Sequence, residues 1–187
     1  MTDTHIDLAG AEKAAADLLD ALGLDRSDPT LAGTPGRIAR AYAELLTARE
    51  FSLTTFPNDE GYDELVIARD IPFTSVCEHH LLPFIGTAAV GYLPADRILG
   101  LSKLARVVEL FARRPQVQER MTSQIAHWLE DNLQPKGVGI VVQAEHTCMT
   151  IRGVGARGAT TVTSTLLGHL RDDARSRAEF LALAEPR

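Results

Sequence analysis

The two cysteines of this 187-residue chain constrain its fold more than any other sequence feature. Cys77 lies three residues before His80, and Cys148 lies two residues after His146. Two thiolates and one imidazole are ligands that Zn²⁺ prefers, and a site with three protein ligands keeps a position for water or substrate. Because the cysteines are far apart in sequence, folding must bring them together. This separation does not fit a zinc finger, whose ligands come in two close pairs.

Spacing alone leaves a second interpretation open, in which both cysteines are small buried apolar residues. An oxidised pair is less favoured, because the segment Met1–Asp7 is polar and acidic, unlike a secretory signal peptide. We therefore expect a cytoplasmic protein whose cysteines stay reduced, which favours metal binding over a disulfide.

The composition predicts one soluble globular domain. Hydrophobic residues make up 45% of the chain and charged residues 24%, which is ordinary for such a domain. No apolar run approaches the ~20 residues that a membrane-spanning helix needs. The formal net charge of -6 argues against non-specific nucleic-acid binding, which requires a broad basic surface. A small anionic ligand remains compatible with this charge, because basic residues can gather locally.

Hydrophobic periodicity and turn residues predict an α+β domain with antiparallel strands. Helices are predicted at 8–22, from Thr34-Pro35 to 45, from a Ser102 cap to 111, from Pro115 to 128, and from an Asp172-Asp173 cap to 183. Strands are predicted at 65–68, 85–93, 137–144 and 160–165, with a loop at 51–62. Few residues connect the last two strands, which favours antiparallel pairing.

Titratable and basic residues accompany the two cysteine segments. His79 and His146 flank the two halves of the candidate site and are suited to proton transfer near neutral pH. Glu78 is either a partner of this site or a solvated acid. Glu119 is either an acid in the first turn of a helix or a carboxylate that accepts two N–H groups from a guanine edge. The basic residues are either solvated helix faces or a pocket for several phosphates; they are Arg37, Arg40, Lys103, Arg106 and Arg152.

Several blocks of this sequence, in order, resemble the GTP cyclohydrolase I family. The blocks are Thr34-Pro35-Gly36-Arg37-Ile38-Ala39, Cys77-Glu78-His79-His80-Leu81-Leu82-Pro83-Phe84, Gly100-Leu101-Ser102-Lys103-Leu104, Arg114-Pro115-Gln116-Val117-Gln118-Glu119-Arg120, Glu145-His146-Thr147-Cys148-Met149, Arg152-Gly153-Val154 and Thr161-Val162-Thr163-Ser164-Thr165. The similarity runs from about residue 10 to about residue 184. Several long blocks are far more specific than one short motif.

The resemblance implies hydrolytic opening of the guanine imidazole ring of GTP, release of formate, and rearrangement to 7,8-dihydroneopterin triphosphate in folate biosynthesis. It implies Zn²⁺ held by Cys77, His80 and Cys148, which would activate the water that attacks C8. His79 would protonate the ring nitrogen that leaves C8, and His146 and Ser102 would assist later proton movements. The substrate contacts it implies are Glu119 and the backbone near Gln118 for guanine, and Arg152, Lys103, Arg106, Arg37 and Arg40 for the triphosphate.

The same resemblance implies a tunnelling fold, in which the sheets of several subunits join into a barrel inside a homodecameric ring with active sites between subunits. It implies one domain over 1–187, with an N-terminal helical segment at about 8–48 and a catalytic core at about 63–184. Two alternatives are a non-catalytic zinc-stabilised ring that binds purine or pterin nucleotides, and another enzyme of the same fold. The first has no use for His79 and His146, and a reductase of that fold would need a cysteine free of metal.

Overall fold

The structure, a computed structural model, describes residues 5–185, which form two compact units divided after Thr47. The first unit contains helices α1 (Leu8–Ala21) and α2 (Thr34–Leu45). Asp7 caps α1 by accepting a hydrogen bond from the Gly10 amide, and the predicted stop at Gly23 is confirmed by its positive φ of 74°. The residue before α2 is Gly33, so the predicted Thr34 cap is wrong by one position.

The second unit combines five helices with seven strands, which confirms the α+β class. Its helices are α3 (Leu101–Ala112), α4 (Gln118–Leu133), α5 (Thr147–Thr150), α6 (His169–Asp172) and α7 (Ala174–Ala184). Its strands are β1 (Thr55–Pro57), β2 (Val66–Cys77), β3 (Pro83–Leu93), β4 (Arg97–Leu99), β5 (Pro115–Gln116), β6 (Gly137–His146) and β7 (Thr161–Gly168). The main sheet has the order β5-β2-β3-β6-β7, and β1 pairs separately with β4. Pairing is antiparallel except between β2 and β5, so the predicted antiparallel partnership of β6 and β7 is confirmed.

Alternation along the central strands gives the sheet an apolar surface on each face. Val138, Ile140 and Val142 of β6 share one buried cluster with helices α3 and α4. Val141, on the other face, packs in a second cluster with Phe180 of α7. The helices thus cover both sides of the strands whose ends carry the cysteine segments.

Three sequence predictions need correction at the elements that position the site. The predicted strand at 65–68 continues to Cys77, passing an irregularity between Ala68 and Ile71 where Asp70 has a φ of 56°. Helix α3 begins before Ser102 and has Gly100 at its cap position, so Ser102 is not the cap. Pro115 begins the short strand β5, and α4 starts only at Gln118.

The loop predicted at 51–62 contains strand β1, a short segment that pairs with β4. Within residues 5–185, none of the helices combines the length and apolar character needed to cross a membrane.

Candidate metal and active site

Cys77 is the last residue of β2, and a tight turn follows it. The Cys77 carbonyl accepts hydrogen bonds from the amides of His80 and Leu81, and the Cys77 amide donates to the Leu82 carbonyl. Leu81 adopts a φ of 53° in this turn, a conformation that non-glycine residues rarely take. The turn brings Nδ1 of both His79 and His80 to 3.9 Å from Cys77 Sγ.

Cys148 reaches the same place on the one-turn helix α5, which directly follows β6. The Thr147 hydroxyl donates to the Pro83 carbonyl and fastens this helix to the start of β3. The two sulfur atoms lie 4.0 Å apart, about twice the length of a disulfide bond, and both cysteines are free. Burial, and then the neighbouring Cys77 thiol, raise the pKa of Cys148, while the charge of Arg152 acts in the opposite direction.

His146, the last residue of β6, completes a compact group with the two cysteines. One ligand atom from each of Cys77, His146 and Cys148 lies within 4.8 Å of the others. The His146 ring stacks on Phe84 with centroids 4.4 Å apart and planes 6° apart. Burial lowers the pKa of His146, although the carboxylate of Glu119 opposes this shift. The imidazole is therefore favoured in its neutral form, the form that binds metals or accepts a proton.

The predicted ligand set and the compact group differ in their histidine. The sequence predicts His80 as the third ligand, and the structure brings His80 close to Cys77. The group whose three ligand atoms all approach one another contains His146 instead. His80 thus lies beside Cys77, and His146 lies beside both thiols. The sequence placed His146 next to the site for proton transfer but did not indicate it as a ligand.

The chemistry of this donor set fits Zn²⁺. Two thiolates ~2.3 Å from a tetrahedral zinc ion lie about 3.8 Å from each other, and the measured sulfur separation is 4.0 Å. A thiolate and an imidazole nitrogen in the same geometry lie about 3.6 Å apart, close to the 3.9 Å between Cys77 and His80. A divalent cation would also offset the electrostatic cost of placing two thiolates together.

Glu78 and His79 occupy the exposed side of the turn after Cys77. The Glu78 carboxylate forms an ion pair with Arg120 of α4, and the hydrogen bond from this guanidinium is the main cause of the lowered pKa of Glu78. The His79 side chain is 64% exposed, and its Nε2 lies 4.0 Å from a Glu78 oxygen. Glu78 thus ties the turn to α4 through Arg120, and this ion pair leaves both sequence alternatives for Glu78 open.

Gln118 and Glu119 begin α4 but differ in exposure. Glu119 lies in the first helical turn and is exposed, a position that fits both of its sequence alternatives. The Gln118 side chain is buried, and its Oε1 lies 2.8 Å from Nε2 of His146. This side-chain contact was not foreseen, because sequence alone assigned only the backbone near Gln118 to the site.

The predicted residues Ser102, Lys103 and Arg106 lie on α3. Ser102 and Arg106 line a cavity of about 530 Å³ whose other walls include residues of β2 and β3. Arg106 and Arg49 both bind the Glu109 carboxylate, and the hydrogen bond from Arg49 is the first cause of the lowered pKa of Glu109. Lys103 lies over the Phe51 ring, with Nζ 5.9 Å from its centroid.

The remaining predicted basic residues are exposed. Arg152 lies two residues after the end of α5. Arg37 and Arg40 belong to the N-terminal unit, where Arg37 donates hydrogen bonds to the Thr30 carbonyl and the Thr34 hydroxyl.

Comparison with known proteins yields consistent matches. The family model described as GTP cyclohydrolase I matches residues 11–185. A protein named GTP cyclohydrolase 1 from Mycobacteroides abscessus is 52% identical over 182 residues, covering 95% of this chain and 89% of the relative. Proteins of the same name from Thermoanaerobacter pseudethanolicus and Aquifex aeolicus are 49% and 47% identical, covering 95% and 96% of this chain and 97% and 98% of the relatives.

A solved structure of an archaeosine synthase QueF-Like in the apo form matches 56% of this chain and 93% of its own, with 16% identity and a TM-score of 0.46. A likeness at this level supports no conclusion about function or assembly.

Proposed function

The chain belongs to the GTP cyclohydrolase I family, and we propose that it carries out that family's reaction. It opens the imidazole ring of GTP by hydrolysis, releases formate, and rearranges the product to 7,8-dihydroneopterin triphosphate, the first step of folate biosynthesis. The observation that carries this proposal is the meeting of Cys77, His146 and Cys148, which come from two distant segments of the sequence. A hydrolytic metal centre needs such a set of soft and borderline ligands.

The metal in this proposal is Zn²⁺, held by Cys77 and Cys148 together with His80. When bound, Zn²⁺ supplies Lewis-acid activation of the water that hydrolysis consumes. His146 is the alternative third ligand, because one of its ring nitrogens is close to both thiols. The separation of the two sulfur atoms supports the choice of a tetrahedral cation.

The proton-transfer roles fall to the residues around the cysteines. His79 donates a proton to the ring nitrogen that leaves C8, and its exposed position on the turn after Cys77 supports this role. His146, which is partly buried, and Ser102 of α3, which is exposed, move protons during the later opening and rearrangement of the ribose. Imidazoles are suited to both steps because they gain and lose protons near neutral pH.

Substrate binding is proposed for residues at the start of α4 and for the basic side chains. Glu119, with the backbone near Gln118, accepts N–H groups from the guanine edge. Guanidinium and ammonium groups hold the triphosphate by charge-assisted hydrogen bonds; these groups belong to Arg152, Lys103, Arg106, Arg37 and Arg40.

The proposed assembly is a homodecameric ring in which T-fold sheets join into a barrel and active sites lie between subunits. Two observations support it. Strand β7 is an edge of the main sheet and pairs only with β6 among the described residues, and joining another subunit's sheet would satisfy that edge. Ser102 and Arg106 line a cavity whose walls do not include Cys77, His146 or Cys148. This separation is compatible with a site built from more than one copy of the chain.

We also propose that the whole chain acts as one GTP cyclohydrolase I domain, with its helical segment at about 8–48 and its catalytic core at about 63–184, in the cytoplasm.

The test is to incubate purified, zinc-loaded protein with GTP while following formate release and pterin absorbance. Both products are expected from the wild-type protein and neither from Cys148→Ser. Formate without pterin would contradict the roles of His146 and Ser102. Binding of both zinc and GTP without either product would overturn the enzymatic proposal and favour a nucleotide-binding ring.

A further inference from the structure

The buried amide of Gln118 has only one orientation that satisfies its surroundings. Its Nε2 lies 3.1 Å from the Val142 carbonyl, 3.0 Å from the Thr161 carbonyl and 3.2 Å from the Thr163 hydroxyl. Carbonyl oxygens only accept hydrogen bonds, so the atom that faces them must be the donor of the amide. A reversed amide would set its oxygen against two carbonyl oxygens in a site where Gln118 is 1% exposed.

The neighbouring hydroxyl groups agree with this orientation. The Thr122 hydroxyl donates to the main-chain carbonyl of Gln118 at 2.8 Å and lies 2.7 Å from the Thr163 hydroxyl. Because Thr122 uses its single proton on that carbonyl, Thr163 must donate to Thr122. The Thr163 hydroxyl therefore offers a lone pair to Gln118 Nε2, whose two protons are shared among this oxygen and the two carbonyls.

The fixed amide in turn determines which nitrogen of His146 carries a proton. Gln118 Oε1 lies 2.8 Å from His146 Nε2, and an amide oxygen has no proton to offer. His146 Nε2 must therefore be the donor, and in the neutral ring the lone pair lies on Nδ1. The parallel stack with Phe84 holds the plane of the same ring.

We propose that Gln118 is a positioning residue that holds His146 as the Nε2–H tautomer, leaving Nδ1 as the nitrogen that receives a proton or binds a metal. This goes beyond a contact of the Gln118 backbone with substrate, because the side chain acts through His146. The tautomer follows from the contacts of Gln118. Its consequence for the later proton movements rests on the proposed function.

The direct test is nitrogen NMR of the full chain labelled with ¹⁵N-histidine, first zinc-loaded and then after chelation. The chain has six histidines, and the resonances of His146 are those missing from His146→Asn. We expect protonated Nε2 and unprotonated Nδ1 at His146 in the chelated protein. A protonated Nδ1 in the neutral wild-type ring would overturn the proposal.

Two buried glutamines provide a matched pair of variants. Gln118→Met keeps a side chain of similar length but removes the acceptor, so we expect Nδ1–H to appear at His146. Gln116→Met is the control, since Gln116 is also 1% exposed but bonds to Phe111, Gln124 and Arg120. An unchanged tautomer in folded Gln118→Met, or the same change in Gln116→Met, would contradict the positioning role.

Activity gives a separate readout. Loss of a residue that orients a functional histidine typically costs about 10–100-fold. We therefore expect Gln118→Met to lower kcat for pterin formation by this factor, with a smaller change in the KM for GTP. If wild-type protein shows the Nε2–H tautomer but releases no formate, the proposed function fails and the tautomer assignment stands. If it forms pterin but shows Nδ1–H at His146, the tautomer assignment fails and the proposed function stands.

Discussion

Two glycines leave a hollow on the surface of the sheet, and the ring of Phe180 of α7 occupies it. Gly91 of β3 and Gly139 of β6 are register partners, and the Phe180 ring lies against both. A Cβ atom at Gly139 would lie 2.7–2.8 Å from three ring carbons, and one at Gly91 would lie 3.0–3.1 Å from two of them. Optimal carbon contacts are ~3.5–4.0 Å, so Gly139→Ala demands a ring displacement of about 0.8 Å or more.

The geometry predicts a graded series of stabilities. Phe180 is 0% exposed, so Phe180→Ala is expected to lower the free energy of unfolding by ~3–5 kcal/mol. Gly139→Ala overpacks the same contact and is expected to cost ~1–3 kcal/mol, with Gly91→Ala costing less. Because Phe180→Leu removes the clashing ring atoms, the double variant Gly139→Ala/Phe180→Leu should cost less than the sum of its single changes, by ~0.5–3 kcal/mol.

The assay is urea unfolding followed by circular dichroism, with all variants at one chain concentration because association alters apparent stability. Gly61→Ala does not serve as a control, since its φ of 63° adds strain of its own. Gly100→Ala is not a clean control either: a Cβ atom there would meet nothing closer than 3.5 Å, but Gly100 is the N-cap of α3, where alanine is disfavoured. Gly91→Ala, which touches the same ring at longer distance, is therefore the internal comparison. Wild-type stability in Gly139→Ala, or a greater loss in Gly91→Ala, would refute the reasoning.

Three further predictions concern the metal, the substrate and pH. Cys148→Ser removes one thiolate and should lower the zinc content measured by atomic absorption after dialysis; unchanged zinc would exclude Cys148 as a ligand. Glu109→Gln removes the negative charge that holds Arg106 and Arg49, whose side chains are 36% and 70% exposed while Glu109 is 15% exposed. An ion pair in contact with water is worth up to about 1 kcal/mol, so the KM for GTP should change by no more than about fivefold. A larger loss would mean that Glu109 does more than hold these arginines. Hydrogen bonds from the Ser176 amide and then the Ser176 hydroxyl lower the pKa of Asp173 below its usual 3.8. The ionised Asp173 therefore stabilises the fold fully above that value, and this stabilisation is lost as the pH falls through the lower folded-state pKa. The Tm of Asp173→Asn should fall less than that of the wild type as the pH is lowered through this range, and parallel Tm curves would contradict this assignment.

The elements that sequence reasoning found have strong local signals. The Asp173 cap of α7 and the stop of α1 near Gly23 depend on neighbouring residues only, and both are confirmed. The extension of β2 beyond Ala68 was missed because Arg69, Asp70 and Pro72 disrupt the strand pattern. Pairing with β3 on one side and with β5 at the end stabilises that segment. Such long-range contacts are not visible in the local sequence pattern.

The site shows the same division between local and long-range information. The residue types at Cys77 and Cys148 indicated a metal centre, and they meet in the structure. Which imidazole approaches both thiols depends on the register of β3 and β6, which sets Phe84 opposite His146. The orientation of the Gln118 amide depends on the carbonyls of Val142 in β6 and Thr161 at the start of β7. The hydrophobic periodicity of α4 therefore could not predict this orientation.

The long sequence separation within the cysteine cluster also has a kinetic consequence. Cys77 and Cys148 are 71 residues apart, and in the folded sheet they are connected through β3, which pairs with both β2 and β6. Contacts that close such long stretches of chain form slowly. A cation held by these side chains would therefore join a nearly finished sheet rather than nucleate it, and its removal should accelerate unfolding while leaving the refolding rate almost unchanged.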